Sequence, residues 1–581
     1  MKKYFYIILC AVALLSPGCE DYLDRQPLSY LTVGTYFKSE SDIKQFVDGL
    51  YAGMIPDMNT TYFDFCTDIN ALNPARGDLY YSDLSIGTYN SNSSSISYYW
   101  DYSHMRNAYI FFDYIDAIEM TDAARQLYTG TVHYLLAYRY FMMLRAYENV
   151  PVVREILEVE NSDIASSPKE EVFNEALNQV NEAIANLPSL GPAQRERGRM
   201  TKLVALTLKA DLLLYTASRY NESITGATYE TAATAATAAL AEADAKGYGL
   251  AVDYPKLFIA ANQAAADAQK EIIVESVQLK SIAATSGTAT RWSPRYYSTT
   301  ATNYFLGTQE LIDMYEDTDG NPINESSLYD PLHPFANRDP RLTYTILYPG
   351  NIASLIDGSV TWISNTLDPS TSNHDYMLST HNARDAALSG YINVKYWDRD
   401  PVTGGYGSYI VYRYAELLLM YAEAQNESSG PDATVYTAIS RVRNRVGMPS
   451  VDATTHPTQE DVRALIRNER VVELAGEGKR YWDVRRWGIG ETVQNKPFRS
   501  MHISIFNPDG TLAGYQDKIY VRTSLTDPSA EALFDIPDGA TGGRLMTTGV
   551  FSSAKYYVWP VPENALNASF TGALQQHPLW E

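Results

Sequence analysis

The chain has 581 residues, of which 45% are hydrophobic and 20% are charged, a composition typical of a folded globular protein. Its 69 Asp and Glu residues outnumber 46 Lys and Arg residues, giving a formal net charge of −23, which argues against nucleic acid as a partner because phosphate backbones are bound by clustered Lys and Arg. The 46 tyrosines favour a partly apolar, partly polar ligand such as a sugar, whose C–H faces stack on rings.

The first residues are predicted to be an export signal rather than part of the fold. Lys2 and Lys3 precede an apolar run, residues 4–15, that is too short to span a bilayer. Cys19 follows in a Leu-Ser-Pro-Gly-Cys context that resembles the lipobox of bacterial lipoproteins, and the acidic residues after it resemble the surface-export signal of Bacteroidetes lipoproteins. The resemblance implies that residues 1–18 are removed and that an acylated Cys19 anchors the chain at the cell surface. Ordinary secretion with cleavage nearby is the alternative.

The body of the chain is predicted to lie on a membrane without crossing it, because no later uncharged stretch reaches 18 apolar residues. The chain holds three cysteines. Cys10 would leave with the leader and Cys19 would carry lipid, which leaves Cys66 alone. We therefore expect no intrachain disulfide and no cysteine-based metal site in the mature protein.

Helical periodicity begins at residues 41–54, with Ser39 or Ser41 as the cap. The segment Ser167-Pro168-Lys169-Glu170 predicts a helix start, with a capping serine, proline in the first turn and a reciprocal glutamate. Further apolar stripes predict helices at about 131–147, 172–187, 201–217, 229–245, 413–426, 433–446 and 459–477. Helix pairs joined by short loops, with small residues where helices meet, favour a mostly α fold of tetratricopeptide-like helical repeats.

Between the helical blocks the chain changes character. Residues 56–104 are rich in Asn, Asp, Ser and Tyr and show little periodicity. Residues 278–410 and 497–560 alternate short β-like stretches with Gly, Pro, Asn and Asp turns, and a further β-like stretch covers residues 271–277. Long irregular segments on a rigid helical scaffold usually carry function, so these loops are expected to bind the ligand.

The last third of the chain carries motifs of a known family. The segments are 412–424 (YRYAELLLMYAEA), 441–447 (RVRNRVG), 466–487 (IRNERVVELAGEGKRYWDVRRW), 337–342 (NRDPRL), 559–562 (WPVP), 577–580 (HPLW) and, earlier, 198–202 (GRMTK). These segments resemble the diagnostic blocks of the SusD/RagB family of nutrient-uptake lipoproteins in Bacteroidetes. The likeness runs from the lipobox to the last residues.

The resemblance implies one SusD-like domain over residues 19–581. Its helical scaffold would lie mainly at 35–55, 105–245 and 410–490, and its variable ligand-binding loops mainly at 56–104 and 278–410. Members of this family lie over a SusC-like TonB-dependent transporter of the outer membrane and deliver oligosaccharides or polysaccharides to it. They bind the glycan without cleaving it and need no cofactor.

The charge-rich motif at 466–487 is predicted to be structural rather than catalytic. Its charged residues are Glu469, Glu473, Glu477, Arg467, Arg470, Arg480, Arg485 and Arg486. Glutamates spaced by four on a helix can meet arginines, and such a network usually fixes packing geometry. Trp482 and Trp487 are expected to anchor the core beside it.

The glycan site is predicted from chemistry, because the family varies its ligand residues with the glycan. A sugar site needs exposed rings with amides, carboxylates or guanidinium groups nearby. The predicted contacts are Asp68, Asn70, Asn73, Arg76, Tyr80, Tyr81 and Tyr89 in the first loop region, and Trp292, Tyr296 and Tyr297 in the second. Trp292 with Tyr296 is the leading pair; packing inside the loops is the alternative role for all of these residues. Trp100, at the start of a helix, is predicted to be core.

No metal site is predicted, because the eight histidines are scattered and lack ligand spacing. Asp317, Asp319 and Asn321 could hold calcium but are more typical of a turn. Two other functions stay open: a lipoprotein of the same family that binds peptides or other nutrients, and a surface glycoside hydrolase. The hydrolase needs two carboxylates at a fixed separation, and no motif singles out such a pair among the acidic residues.

Overall fold

The computed structural model describes residues 36–75, 81–278, 292–295, 303–370, 372–378, 386–399, 407–548, 551 and 553–581. The predicted leader and Cys19 lie outside these ranges. Helices dominate the described residues and the strands are few and short, so the predicted mostly α fold is confirmed. Within the same ranges, no helix combines the length and apolarity needed to cross a bilayer.

The described helices include every helix that the periodicity predicts. In chain order they are α1 (Glu40–Met54), α2 (Ser82–Ser85), α3 (Ser103–Tyr114), α4 (Asp122–Tyr147), α5 (Lys169–Asn186), α6 (Lys202–Arg219), α7 (Tyr229–Ala245), α8 (Ala260–Gln263), α9 (Ala266–Glu271), α10 (Gln309–Met314), α11 (Pro340–Thr345), α12 (Tyr414–Ser429), α13 (Ala433–Arg445), α14 (Gln459–Leu474), α15 (Arg480–Arg486), α16 (Gly490–Val493) and α17 (Glu563–Ala568). Short 3-10 helices occur between them, including Met58–Phe65 and Tyr254–Phe258.

The strands form two-stranded antiparallel pairs throughout the described residues. They are β1 (Asn70–Leu72), β2 (Ile272–Ser276), β3 (Phe305–Gly307), β4 (Ile346–Leu347), β5 (Ile352–Ser354), β6 (Thr361–Ile363), β7 (Ile392–Asn393), β8 (Tyr409–Arg413), β9 (Phe498–Arg499), β10 (Ile503–Phe506), β11 (Leu512–Gln516), β12 (Lys518–Arg522), β13 (Glu531–Asp535) and β14 (Leu545–Thr547). The pairs β1–β3, β2–β8 and β4–β7 join segments that are far apart in sequence. The β1–β3 pair joins the two irregular segments to each other, and the β2–β8 pair leads directly into helix α12 of the scaffold.

Side-chain caps explain the starts of seven of the described helices, and one predicted cap needs correction. Ser39 caps α1 as predicted. The predicted serine cap of α5 is wrong: the main-chain N–H of Ser167 donates to Val150 at 3.0 Å, so Ser167 belongs to the preceding bridge. Asn149 supplies the cap instead, because its amide oxygen accepts the N–H of Lys169 at 2.9 Å.

The helices pack as a series. Helices α4, α5, α6 and α7 pack in sequence, each on the one before it. Helix α12 packs on α7, and α13 and α14 both pack on α12. The alanine-rich face of α7 is buried between its neighbours through Ala232, Ala233, Ala235, Ala236, Ala239 and Ala243. Such small side chains let helix axes approach closely, as the sequence predicts. The arrangement fits tetratricopeptide-like repeats.

Helix α14 lies between two hydrophobic cores. Val462 and Ile466 belong to the larger core, which runs through the helical series. Val471 and Val472 belong to a smaller core beneath the loop-rich part, together with side chains such as Ile346. The helix therefore joins the scaffold to the irregular part of the molecule.

A buried ion-pair network lies at this junction. Its carboxylates are Glu271, Glu469, Glu473 and Glu477, and its cations are Arg341, Arg413, Arg445 and Lys395. Arg413 is fully buried and donates to both oxygens of Glu477 at 2.8 and 2.9 Å and to Glu473 at 2.5 Å. Charges buried this deeply are tolerated only when each is paired.

The remaining charged residues of the 466–487 motif are also structural, as predicted. Arg470 and Arg486 pair with Asp483, Arg480 pairs with Asp68, Arg467 stacks on Trp487, and Arg485 stacks on Tyr481. Gly478 makes the turn before α15 possible, since it has a φ of +80° and a Cβ there would lie 2.5 Å from the carbonyl oxygen of Thr60. The motif thus fixes packing between distant segments.

Candidate functional site

Strand β1 carries the first predicted contacts into the interior. Asp68, just before it, is 2% exposed, and its carboxylate accepts two hydrogen bonds from the Arg480 guanidinium at 2.6 and 2.9 Å. Asn70 is fully buried, and its amide oxygen accepts a hydrogen bond from the amide of Asn393 at 3.0 Å. Both polar side chains therefore have partners within the protein.

Asn73 joins the two predicted loop regions. Its amide nitrogen donates to the main-chain oxygens of Asn303 at 3.4 Å and Ala386 at 3.0 Å. The carboxylate of Asp375 accepts hydrogen bonds from the N–H of Arg295 at 2.9 Å and the amide of Asn303 at 2.8 Å. We call Asn73, Arg295, Asn303, Asp375 and Ala386 the loop-anchor cluster.

The loop-anchor cluster brings together segments that the sequence placed in separate loops. Three stretches that the structure does not describe begin or end within three residues of a member of the loop-anchor cluster: 76–80, 296–302 and 379–385. The pairing of β1 with β3 explains this convergence, because it places Leu72 opposite Phe305. The described residues beside these stretches therefore share one common base.

Trp292 is part of that base rather than an exposed platform. Its ring is 1% exposed and packs against Phe305 at 4.5 Å, Tyr396 at 5.5 Å and Phe65 at 5.6 Å between centroids. A ring enclosed on these sides has no free face for a sugar to stack on. The paired prediction, Tyr296, lies outside the described residues.

Tyr81 and Tyr89 are also interior. Tyr81 is 1% exposed and packs against the ring of Phe63 at 5.1 Å. Tyr89 is 4% exposed, lies 5.4 Å from the ring of Trp580, and donates its hydroxyl to the main-chain oxygen of Tyr556 at 3.4 Å. Burial raises the pKa of Tyr89 well above its usual range, because the phenolate would be desolvated.

The predicted contacts therefore divide into two groups. The structure places Asp68, Asn70, Asn73, Tyr81, Tyr89 and Trp292 in the interior, where they support the loops, and we no longer assign them to the ligand. The others, Arg76, Tyr80, Tyr296 and Tyr297, lie outside the described residues and stay a prediction. For Asn70 the physical cause is the β1–β3 pair, in which the side chains on both faces are buried.

One buried acid beside this base has an unusual protonation equilibrium. The Asp64 carboxylate accepts the main-chain N–H of Arg480 at 2.8 Å and is fully buried. Burial raises the pKa of Asp64 to about 7, although main-chain N–H groups of Gly478 and Arg480 partly offset it, and the negative charge of Glu477 adds to the rise. Asp64 thus holds a proton at mildly acidic pH.

The described residues offer no group of three His, Cys, Asp or Glu side chains placed to hold a metal ion. The Asp317 stretch forms a turn: one carboxylate oxygen of Asp317 accepts the N–H of Asp319 at 2.9 Å and of Asn321 at 2.8 Å. These hydrogen bonds leave that oxygen occupied by the chain itself.

An open recess of about 430 Å³, which the sequence did not single out, lies at the N-terminal end of α3. Its walls are residues 151–164 and the C-terminal segment 565–574, and Trp100, Tyr102 and Phe570 contribute rings to it. Phe570 is 64% exposed. The available signal was weak: a phenylalanine directly before a Thr-Gly turn, where no core position is expected.

Proteins with this arrangement are known. The chain is 23% identical over 539 residues to the SusD-like protein P2 of Formosa agariphila, covering 85% of this chain and 92% of that one. A SusD-like protein of Bacteroides fragilis shares the fold with a TM-score of 0.71 at 24% identity, covering 95% of this chain and all of that one. A SusD-like carbohydrate-binding protein of the same species gives a TM-score of 0.73 at 23% identity, with coverages of 92% and 99%.

Family models match both halves of the chain. Residues 21–210 match a family described as starch-binding and associating with the outer membrane. Residues 270–580 match the SusD family and include the ion-pair motif of α14 and α15. Since this second match alone spans more than half of the 581 residues, the chain belongs to the SusD family.

Proposed function

We propose that this protein is a lipid-anchored lipoprotein of the outer-membrane surface that binds oligosaccharide or polysaccharide and passes it to a SusC-like TonB-dependent transporter without cleaving it. The observation that carries the proposal is the match of residues 21–210 to a family described as starch-binding and associating with the outer membrane. A structural neighbour described as carbohydrate-binding supports the same ligand class. The lipobox-like segment ending at Cys19 supports the anchor.

The proposed glycan contacts are the predicted side chains on the stretches that lie next to members of the loop-anchor cluster in the sequence. Tyr80 and Tyr296 would supply stacking faces, and Arg76 would donate hydrogen bonds to sugar hydroxyls. Tyr297 is the fourth proposed contact. A base held by hydrogen bonds between distant segments supports this site, since a preformed base reduces the entropy lost on binding.

The purified protein should bind a neutral glycan and release it intact. Its affinity is measured by calorimetry against starch, laminarin, xylan and mannan fragments, and the sugars are then analysed for chain length. We expect saturable binding with an unchanged length distribution. Shortened products at a catalytic rate would favour the hydrolase, and saturable binding of peptides without any glycan response would favour the peptide-binding alternative.

Removing two proposed rings should weaken that binding. In the double variant Tyr80→Ala, Tyr296→Ala we expect the affinity to fall by about fivefold for each ring, because each stacked ring contributes on the order of 1 kcal/mol. Tyr520→Ala is the matched control, since Tyr520 is a 39% exposed ring on strand β12. Unchanged affinity in the folded double variant would remove both tyrosines from the site.

A further inference from the structure

The ring-lined recess is built from fixed parts. The Ser569 hydroxyl donates to the Asp163 carboxylate at 2.6 Å, and the main-chain N–H of Thr571 donates to the other carboxylate oxygen. The Ser569 hydroxyl also accepts the N–H of Leu574 at 3.1 Å. These hydrogen bonds hold the turn that carries Phe570, so the exposed ring has a fixed place rather than belonging to a loose tail.

The opposite wall is equally ordered. The Tyr102 hydroxyl donates to the main-chain oxygen of Pro151 at 2.8 Å. Trp100 packs edge-on against Tyr147 at 4.9 Å and against Tyr102 at 5.9 Å. Trp100 is half-buried rather than fully core, and it lines the recess. The recess therefore presents rings from two walls. Because these rings are already held in place, little conformational entropy is lost when a ligand binds.

Polar groups of both charge signs accompany these rings. Arg106, Glu155 and Ser162 are exposed residues of the lining. The lining carries one cation, Arg106, against two carboxylates, Glu155 and Asp163, and this excess of negative charge disfavours an anion. The ligand it suits is neutral and rich in hydrogen-bonding groups.

A second recess continues along the same two segments. It has a volume of about 350 Å³ and is lined by residues of 165–168 and 573–578, including Ser166, Gln575 and His577. The Ser166 hydroxyl is buried and has no hydrogen-bond partner within the described part of the chain. An apolar peptide side chain or an acyl chain would form no hydrogen bonds with this polar recess. The hydroxyls of a sugar chain would form them.

We infer that the two recesses together form a binding site for a neutral oligosaccharide, separate in sequence from the loop-anchor cluster. One sugar face would stack on Phe570 and Trp100, Arg106 and Glu155 would bind its hydroxyls, and the next units would extend into the polar recess. The inference rests on the proposed function, because it takes the same class of ligand. It adds a second place on the protein for one glycan chain to be held, which raises avidity for long chains.

The test uses the full mature chain with maltohexaose, laminarihexaose, xylohexaose and mannohexaose as probes. Affinity is measured by calorimetry, and hydrogen–deuterium exchange locates the bound sugar. We expect protection of residues 151–164 and 565–574, which persists in the variant Tyr80→Ala, Tyr296→Ala. In that background Phe570→Ala should weaken the remaining binding by about tenfold.

Phe570→Ala carries little folding risk because the ring is exposed, and a thermal melt confirms that each variant is folded. Phe570→Tyr keeps a stacking ring and should restore binding, and Tyr520→Ala serves as the remote exposed-ring control. Glycan binding that is insensitive to Phe570→Ala, without protection of the two segments, would overturn this inference and leave the proposed function standing. Failure of the unmodified protein to bind any probe would overturn both.

Discussion

Replacing Glu473 by glutamine should lower the free energy of unfolding by about 3–5 kcal/mol, the cost typical of removing one partner from a buried ion pair. Burial alone would raise the pKa of Glu473, but the guanidinium groups of Arg445, Arg413 and Arg341 outweigh it and lower the pKa. The variant leaves these three buried arginines short of negative charge, and glutamine offers a single acceptor oxygen in return.

Urea titration of the parent and the variant measures this loss as a shift of the unfolding midpoint. Glu460→Gln on the same helix α14 is the control, because its side chain is 77% exposed and its ion pair with Arg463 contributes little. A shift for Glu473→Gln as small as that of the control would mean that the buried ion-pair network does not stabilise the fold.

The helices could be predicted from the sequence because their signal is local. The apolar spacing within α1, α7 and α14 is complete inside each segment, and the start of α7 at Tyr229 agrees with the prediction. The capping of α5 was misjudged because Asn149, the residue that supplies it, comes from the preceding loop. Propensity carries no information about a partner that only the tertiary fold brings near.

The buried ion-pair network shows that long-range contacts, like the cap of α5, cannot be predicted from local sequence. The sequence indicates that Glu473 should meet arginines, but it cannot indicate Arg341, which lies 132 residues away. Nothing in the spacing of either segment distinguishes this arginine from the other cations of the chain. Pairing at such separations is decided by the packing of the two cores around α14.

The sequence indicated which segments form the candidate site, but it did not indicate which of their side chains are buried and which are exposed. Trp292 lies in a polar, irregular stretch, where no periodicity tells an inward ring from an outward one. Its burial follows from the β1–β3 pair, whose strands are more than 230 residues apart. Phe570 was missed because a single ring before a Thr-Gly turn gives only a weak sign that it is exposed.

Replacing Asp64 by asparagine should stabilise the protein increasingly as the pH rises from about 4 to 7. The folded-state pKa of Asp64 is raised to about 7 by burial, against an ordinary value of 3.8. As the pH rises through this window, the unfolded chain releases the proton first, so the unfolded state binds fewer protons and the parent loses stability. Below about pH 4 both states hold the proton, and above about pH 7 the loss is complete.

Asparagine has no proton to release, so the difference in unfolding free energy between variant and parent should grow by roughly 3–4 kcal/mol across that window, at 1.36 kcal/mol per pKa unit. Urea titrations at pH 4.5, 6 and 8 measure it, with Asp116→Asn as the control because the Asp116 side chain is 91% exposed. A difference that does not change with pH would mean that Asp64 ionises normally and that water reaches it. Arg480 binds Asp64 through its main-chain N–H and Asp68 through its guanidinium, so the ionisation of Asp64 takes place beside the segment that leads into β1.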